Sequence, residues 1–262
     1  MKKVILCAIL AAIMALPTAA TAAELKKITI GVTPFPAKDI AAVAAKVIEK
    51  DGYQLVIKEF TDFIQPNYAL QDKSLEANFF QHVPFLENMK REKKLDIVPL
   101  VKVHLLPIGI YSNKIKSFDE VKNGAVVAVP NDPTNGFRAY KLLEQVGLLK
   151  MKDGELLTAR DIVENPKKLK IIELEAPQLP RSLPDTTFSV INMNFAVDAG
   201  LNPTTDALAL ESKDSPYAVV LAVRGEDKDA DFAKALSRAL NSPEVKKFIE
   251  NDLAAKGVIP AF

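Results

Sequence analysis

Arg138 is the side chain with the most pointed chemistry in this chain. It follows the turn Pro130-Asn131-Asp132-Pro133-Thr134-Asn135. The apolar spacing of Ala139, Leu142, Leu143 and Val146 predicts a helix there that stops at Gly147. A helix start offers unpaired N–H groups and positive potential, and a guanidinium beside it adds a bidentate fork for a carboxylate. A solvated helix arginine would leave the same pattern, so both readings stand. His82 lies among Asn78, Phe79, Phe80, Gln81, Pro84 and Phe85. One imidazole, two amides and so much ring surface suit an apolar ligand with a polar head. The alternative is a packing corner in which His82 is merely hydrogen-bonded. Asn192 and Asn194 end the strand-like run Phe188-Ser189-Val190-Ile191. Amides at that place can orient a zwitterion, or cap the short helix through Phe195-Ala196-Val197. Arg181, in EAPQLPRSL, is a second candidate cation or part of a structural helix on a rim, and Asp214-Ser215-Pro216-Tyr217 reads as a turn.

The same inventory disfavours catalysis. Ser182 and Ser215 lie in no G-x-S-x-G elbow, and no segment has the glycine spacing of a phosphate loop. The only histidines, His82 and His104, have no second His or Cys beside them, as a metal site would need. No enzyme activity, metal or cofactor is expected. The 34 Lys and Arg, less two lysines of an N-terminal leader, leave the chain one positive charge short of its 33 Asp and Glu. That balance argues against nucleic acid or an anionic membrane surface as a partner.

The leader spans 1–22. Lys2 and Lys3 precede an apolar stretch, Val4 to Leu16, too short for a membrane span, and Ala20-Thr21-Ala22 suits cleavage before Ala23. Cys7, the single cysteine, lies inside it and too early for lipid attachment. The mature chain is then free of thiols and disulfides.

These candidates need elements to hold them. Strand patterns at Lys27–Val32, Tyr53–Ile57 and Leu75–Asn78 alternate with a helix capped by Asp39, a short helix near Asn67–Leu70 and a helix from Pro84 to Lys93. Ile97–Ile110 is strand-rich and broken by Pro107. A second unit has strands at Ala125–Val129, Leu169–Leu174, Thr187–Ile191 and Val219–Val223. Two helices close the chain, the second starting at Ser242-Pro243. The expected fold is α/β, with two α/β lobes around a central ligand cleft. Lobe 1 is 23–112 plus 222–262 and lobe 2 is 113–221, joined by crossings near Tyr111–Lys114 and Leu221–Arg224.

In order along the chain, QPNYAL, ANFFQHVPFLE, VPNDPTN-x-x-R, NPKKLKIIELEAPQLPRSL, VIN and DSPY resemble the NLPA-type methionine-binding proteins, extracytoplasmic receptors of methionine ABC importers. The resemblance covers essentially the whole mature chain and implies a periplasmic-binding-protein fold. It implies that Phe63, Phe80 and His82 line an aromatic wall, that Arg138 binds an amino-acid carboxylate and that Asn192 holds the head group. It further implies a small methionine-like zwitterion as ligand, an ABC permease in the inner membrane as partner, and a monomer. There are departures. Val219 stands where the family has a head-group asparagine after DSPY, which leaves three readings: Asn194 substitutes, methionine binds only weakly, or the ligand lacks the group that asparagine served and is another apolar amino acid, a methionine-containing dipeptide or a carboxylate. Met193 replaces a small residue, the run Thr33-Pro34-Phe35-Pro36-Ala37 lacks a histidine, and the family's lipidation cysteine is absent. A freely diffusing periplasmic protein is the expectation.

Overall fold

The computed structural model describes residues 24–262, and the expected leader, 1–22, lies outside them. One sheet is built from β1 (Lys26–Val32), β2 (Tyr53–Glu59), β3 (Ala77–His82), β4 (Ile97–Leu105), β12 (Ala218–Arg224) and β13 (Ile259–Pro260), in the order β13-β4-β12-β3-β1-β2. The second is built from β5 (Gly109–Tyr111), β6 (Val126–Pro130), β9 (Lys170–Leu174), β10 (Phe188–Ile191) and β11 (Ala207–Leu210), in the order β11-β5-β10-β6-β9. A small ribbon pairs β7 (Lys150–Met151) with β8 (Ile162–Glu164).

The helices are α1 (Asp39–Ile48), α2 (Gln65–Gln71), α3 (Val83–Lys93), α4 (Pro133–Gln145), α5 (Met193–Asp198), α6 (Pro203–Asp206), α7 (Asp231–Leu240) and α8 (Pro243–Phe248). The protein is thus an α/β molecule of two lobes. In the first, β1 runs parallel to β2 and β3, while β12 is antiparallel to both β3 and β4. In the second, β6 runs parallel to β9 and β10.

Burial explains the strand chemistry. Every residue of β12 (AVVLAVR) is buried, as a middle strand covered on both faces requires. Its last residue, Arg224, donates Nη1 to the carbonyls of Leu70 and Leu75 and pairs through Nη2 with Asp227. On one face of the first sheet Ile28, Ile30 and Val32 meet Ile40 and Ile48 of α1 and Leu236 and Leu240 of α7. On the other, Leu70, Leu86, Met89 and Ile97 pack with Val220. Val127, Val129, Leu142, Leu143, Phe188 and Val190 form the second lobe's core. Each such aliphatic side chain contributes roughly 1.5–3 kcal/mol when fully buried.

Several expectations shift. The chain changes sheets between β4 and β5 and between β11 and β12, so the crossings are 106–108 and 211–217 rather than Tyr111–Lys114 and Leu221–Arg224. Pro107 is the physical reason for the first, because a residue without an N–H ends one ladder before the next begins. Asp39 lies inside the first turn of α1 and does not cap it, because a wound turn, Pro34–Lys38, precedes the helix. The third strand is later than its pattern suggests, at Ala77–His82. Its polar residues are paired inside the lobe: Asn67 exchanges hydrogen bonds with Gln81 (2.8 and 2.6 Å), and Asn78 donates to Asn67 (2.8 Å). These buried amides tie α2 to β3 in place of apolar side chains.

Candidate functional site

The cleft lies where strands of both sheets end. His82 closes β3, Leu106 follows β4, Asn192 follows β10, and β6 runs into the turn before α4. Ligands of open α/β sheets sit at such carboxyl ends. The start of β12 joins them because that strand runs the other way. A cavity there, partly open to solvent, is lined by Phe63, Phe80, Gln81, Phe85, Leu106, Asn135, Arg138, Asn192, Met193, Asn194, Tyr217 and Val219.

Asp132 organises the polar end. It is the N-cap of α4, with Pro133 in the first turn, and its carboxylate accepts from the N–H groups of Thr134 (3.2 Å) and Asn135 (2.9 Å). Gly136 lets this turn sit against the strand end, since a Cβ there would stand 2.9 Å from the Pro130 carbonyl. The same carboxylate accepts from Asn135 Nδ2 (3.2 and 3.0 Å). A carboxylate only accepts, so Asn135 must turn its Oδ1 into the site. That one oxygen then takes Asn192 Nδ2 (2.9 Å), Arg138 Nη1 (3.0 Å) and His82 Nε2 (3.3 Å).

The consequences run outward residue by residue. Phe85 N–H donates to His82 Nδ1 (3.1 Å), which leaves the ring proton on Nε2, the atom that faces Asn135. Burial, and then the nearby Arg138 charge, push the His82 pKa down to about 3, so the ring is neutral. Asn192 spends its Nδ2 on Asn135, and its Oδ1 is buried with no partner among the described residues. Asn194 is buried with its Nδ2 equally unpaired. The site therefore presents one free acceptor and one free donor. A buried polar group left unsatisfied costs about 1–3 kcal/mol, so a ligand that supplies both partners recovers that amount.

Arg138 behaves differently from the sequence expectation of a carboxylate fork. Its bidentate edge faces Glu211, with Nε to Oε1 at 3.1 Å and Nη2 to Oε2 at 2.6 Å. Nη2 also donates to the Leu106 carbonyl (3.0 Å). A single Nη1 hydrogen remains for anything in the cavity. The Tyr217 ring packs on the guanidinium, 4.4 Å from Cζ to the ring centroid, and edge-on to His82 at 4.9 Å.

Opposite this polar end stands an aromatic wall. Phe63 lies 6.0 Å from both Phe80 and Phe85 by ring centroids, and 4.9 Å from Phe195 of the other lobe. Phe63, Phe80, Arg138, Asn192 and Asn194 thus share one cavity. His82 is set one layer back, behind Asn135 and Tyr217, and is not on the cavity surface. Asn192 does not use its side chain to cap α5, and Arg181 is exposed, away from the cavity. Sequence reasoning missed Asn135, Tyr217 and Glu211. The first two stand inside quoted motifs, VPNDPTN and DSPY, which by themselves read as turns.

Two α/β lobes closing on a cavity at their strand ends define the fold of periplasmic substrate-binding proteins. The chain belongs to the NlpA lipoprotein family, which matches residues 28–262. It is 47% identical to the D-methionine-binding lipoprotein MetQ of Salmonella typhi, over 83% of this chain and 82% of that one. A nutrient binding protein from Burkholderia cenocepacia bound to methionine superposes with a TM-score of 0.87 at 45% identity, covering 90% of this chain and 100% of that one. The crystal structure of the methionine binding protein MetQ gives 0.86 at 42% identity, covering 90% and 98%. Among the described residues no helix is long and apolar enough to cross a membrane.

Proposed function

We propose that this chain is a periplasmic receptor that captures methionine, or a close apolar amino acid, and delivers it to an ABC permease in the inner membrane. The observation that carries this reading is the unpaired acceptor and donor, Asn192 Oδ1 and Asn194 Nδ2, at one end of an aromatic cavity. An α-ammonium donates to Asn192 Oδ1. A carboxylate accepts from Asn194 Nδ2 and from the last Nη1 hydrogen of Arg138. A thioether lies against Phe63, Phe80 and Phe85, where sulfur gains ~0.3–1.5 kcal/mol at ring edges. The methionine-bound relative and the D-methionine-binding relatives support the ligand class. The role is binding and not catalysis, performed by a monomer released from its leader before Ala23.

Val219 favours a second reading within the same class. It lines the cavity but offers no polar atom, which suits another apolar amino acid, a methionine-containing dipeptide or a carboxylate. Calorimetry on ligand-stripped protein with L-methionine, D-methionine, methionine sulfoxide and methionine dipeptides separates the two. One-site binding of free methionine, tighter than that of the dipeptides, is expected. Absence of binding by all four eliminates methionine.

A further inference from the structure

We infer that Glu211 sets the charge class of the ligand: by neutralising Arg138 from behind, it makes the site select a head group of zero net charge over the matching monoanion. This deepens the amino-acid reading above and rests on it.

Four of the five guanidinium N–H groups are committed, two to Glu211, one to the Leu106 carbonyl and one to Asn135. The pair is buried, with the Arg138 side chain 3% and the Glu211 side chain 13% exposed. Glu211 cannot swing away easily. Its N–H donates to the Ile108 carbonyl (2.9 Å), and its Oε2 accepts the Ile108 N–H (3.4 Å). Buried charges attract strongly at such distances because little solvent intervenes. Of the other groups around the cavity, His82 is fixed as a neutral Nε2–H tautomer by its two hydrogen bonds, and Asp132 is held by the start of α4 and by Asn135.

The cavity therefore holds no uncompensated positive charge. A monoanion would bring an unbalanced charge into a buried place, which is costly. A zwitterion brings its own cation, which the free Asn192 Oδ1 accepts. Receptors usually achieve such selection by arranging an unfavourable interaction for the wrong ligand as well as a favourable one for the right ligand. Glu211 supplies the unfavourable part.

The test compares L-methionine with its α-hydroxy analogue, which keeps a hydrogen-bond donor at the α-position but is a monoanion. Binding of each is measured by calorimetry to the unaltered protein and to the Glu211→Gln variant. The unaltered protein is expected to prefer methionine by at least about tenfold, and Glu211→Gln to shift the ratio by about tenfold toward the hydroxy acid. An unchanged ratio in a folded variant overturns the inference and leaves the receptor reading standing. If the variant does not fold, the unaltered protein decides alone, because the analogue differs in charge while keeping the donor. Affinities within about threefold of each other overturn the inference. Binding of neither compound overturns both the amino-acid reading and the inference.

Discussion

Replacing His104 by leucine should make the protein more acid-resistant by an amount the structure sets. His104 lies on β4, opposite Val219 of β12 and Pro260 of β13, and is fully buried. Its ring stands edge-on to Phe79, with centroids 5.2 Å apart, and neither nitrogen has a partner among the described residues. Burial alone pushes its pKa down to about 3. In the unfolded chain the ring titrates near its ordinary 6.5. Between those two values the unfolded state binds the extra proton, so stability rises with pH and is lost as pH falls below 6.5 toward 3. The loss approaches ~1.4 kcal/mol per pH unit, or about 2 kcal/mol between neutral pH and pH 5. Leucine, of similar volume, removes this term. Carboxylates such as Asp161, held down to about 2 by Lys152 and the Thr158 N–H, act in the same direction but in a lower window, and they cancel in the comparison. Urea unfolding of both proteins from pH 7.5 to 5.0 measures the effect. The variant should gain about 2 kcal/mol relative to the parent across that range. A difference that stays constant with pH would refute the reasoning, because it would mean that the folded ring protonates as readily as the unfolded one.

The remaining expectations concern the cleft and the leader. Arg138→Ala should destabilise the fold by about 3–5 kcal/mol, since it strands Glu211 in a buried place, whereas exposed Arg181→Ala should change stability by less than about 0.5 kcal/mol. Urea midpoints compare the two, and equal losses would contradict the buried pair. Asn194→Ala should weaken methionine binding by about one to two decades, read by calorimetry, and adding Val219→Asn should restore part of it. No loss in the single variant would remove Asn194 from the site. The intact mass of the exported protein should correspond to a chain starting at Ala23, and a heavier, lipid-modified species would overturn that expectation.

Local signals carried the sequence reading a long way. Ser242-Pro243 starts a helix through a cap and a first-turn proline, as it reads in the sequence, whereas Asp132-Pro133 reads as part of a turn and in fact caps and opens α4. Pro107 marks a break, although only the pairing shows that the chain changes sheets there. The two-residue strands β7 and β13 exist because a partner offers a free edge, so no periodicity announces them. The site divides the same way. Arg138 was visible at a helix start, but its true partner is 73 residues distant, and nothing local to either residue says so. His82 was visible among aromatics, yet its place behind the wall depends on Asn135, 53 residues on. Phe63 carried no signal in its own surroundings and came from the family resemblance alone. Its role depends on Phe195 from the other lobe, and a pattern within one element cannot encode that contact.

Phe63 belongs to the packing of both lobes at once, against Phe80 and Phe85 on one side and Phe195 on the other. Separating the lobes therefore strips one face of a large ring and also takes His82 from Asn135. Uncovering that face costs roughly 25 cal/mol for each Å² of ring surface newly exposed. The shut form thus has cohesion of its own, apart from whatever lies inside. Unloading then becomes the energetically demanding half of the cycle, and the work of prising the lobes apart must come from outside the receptor.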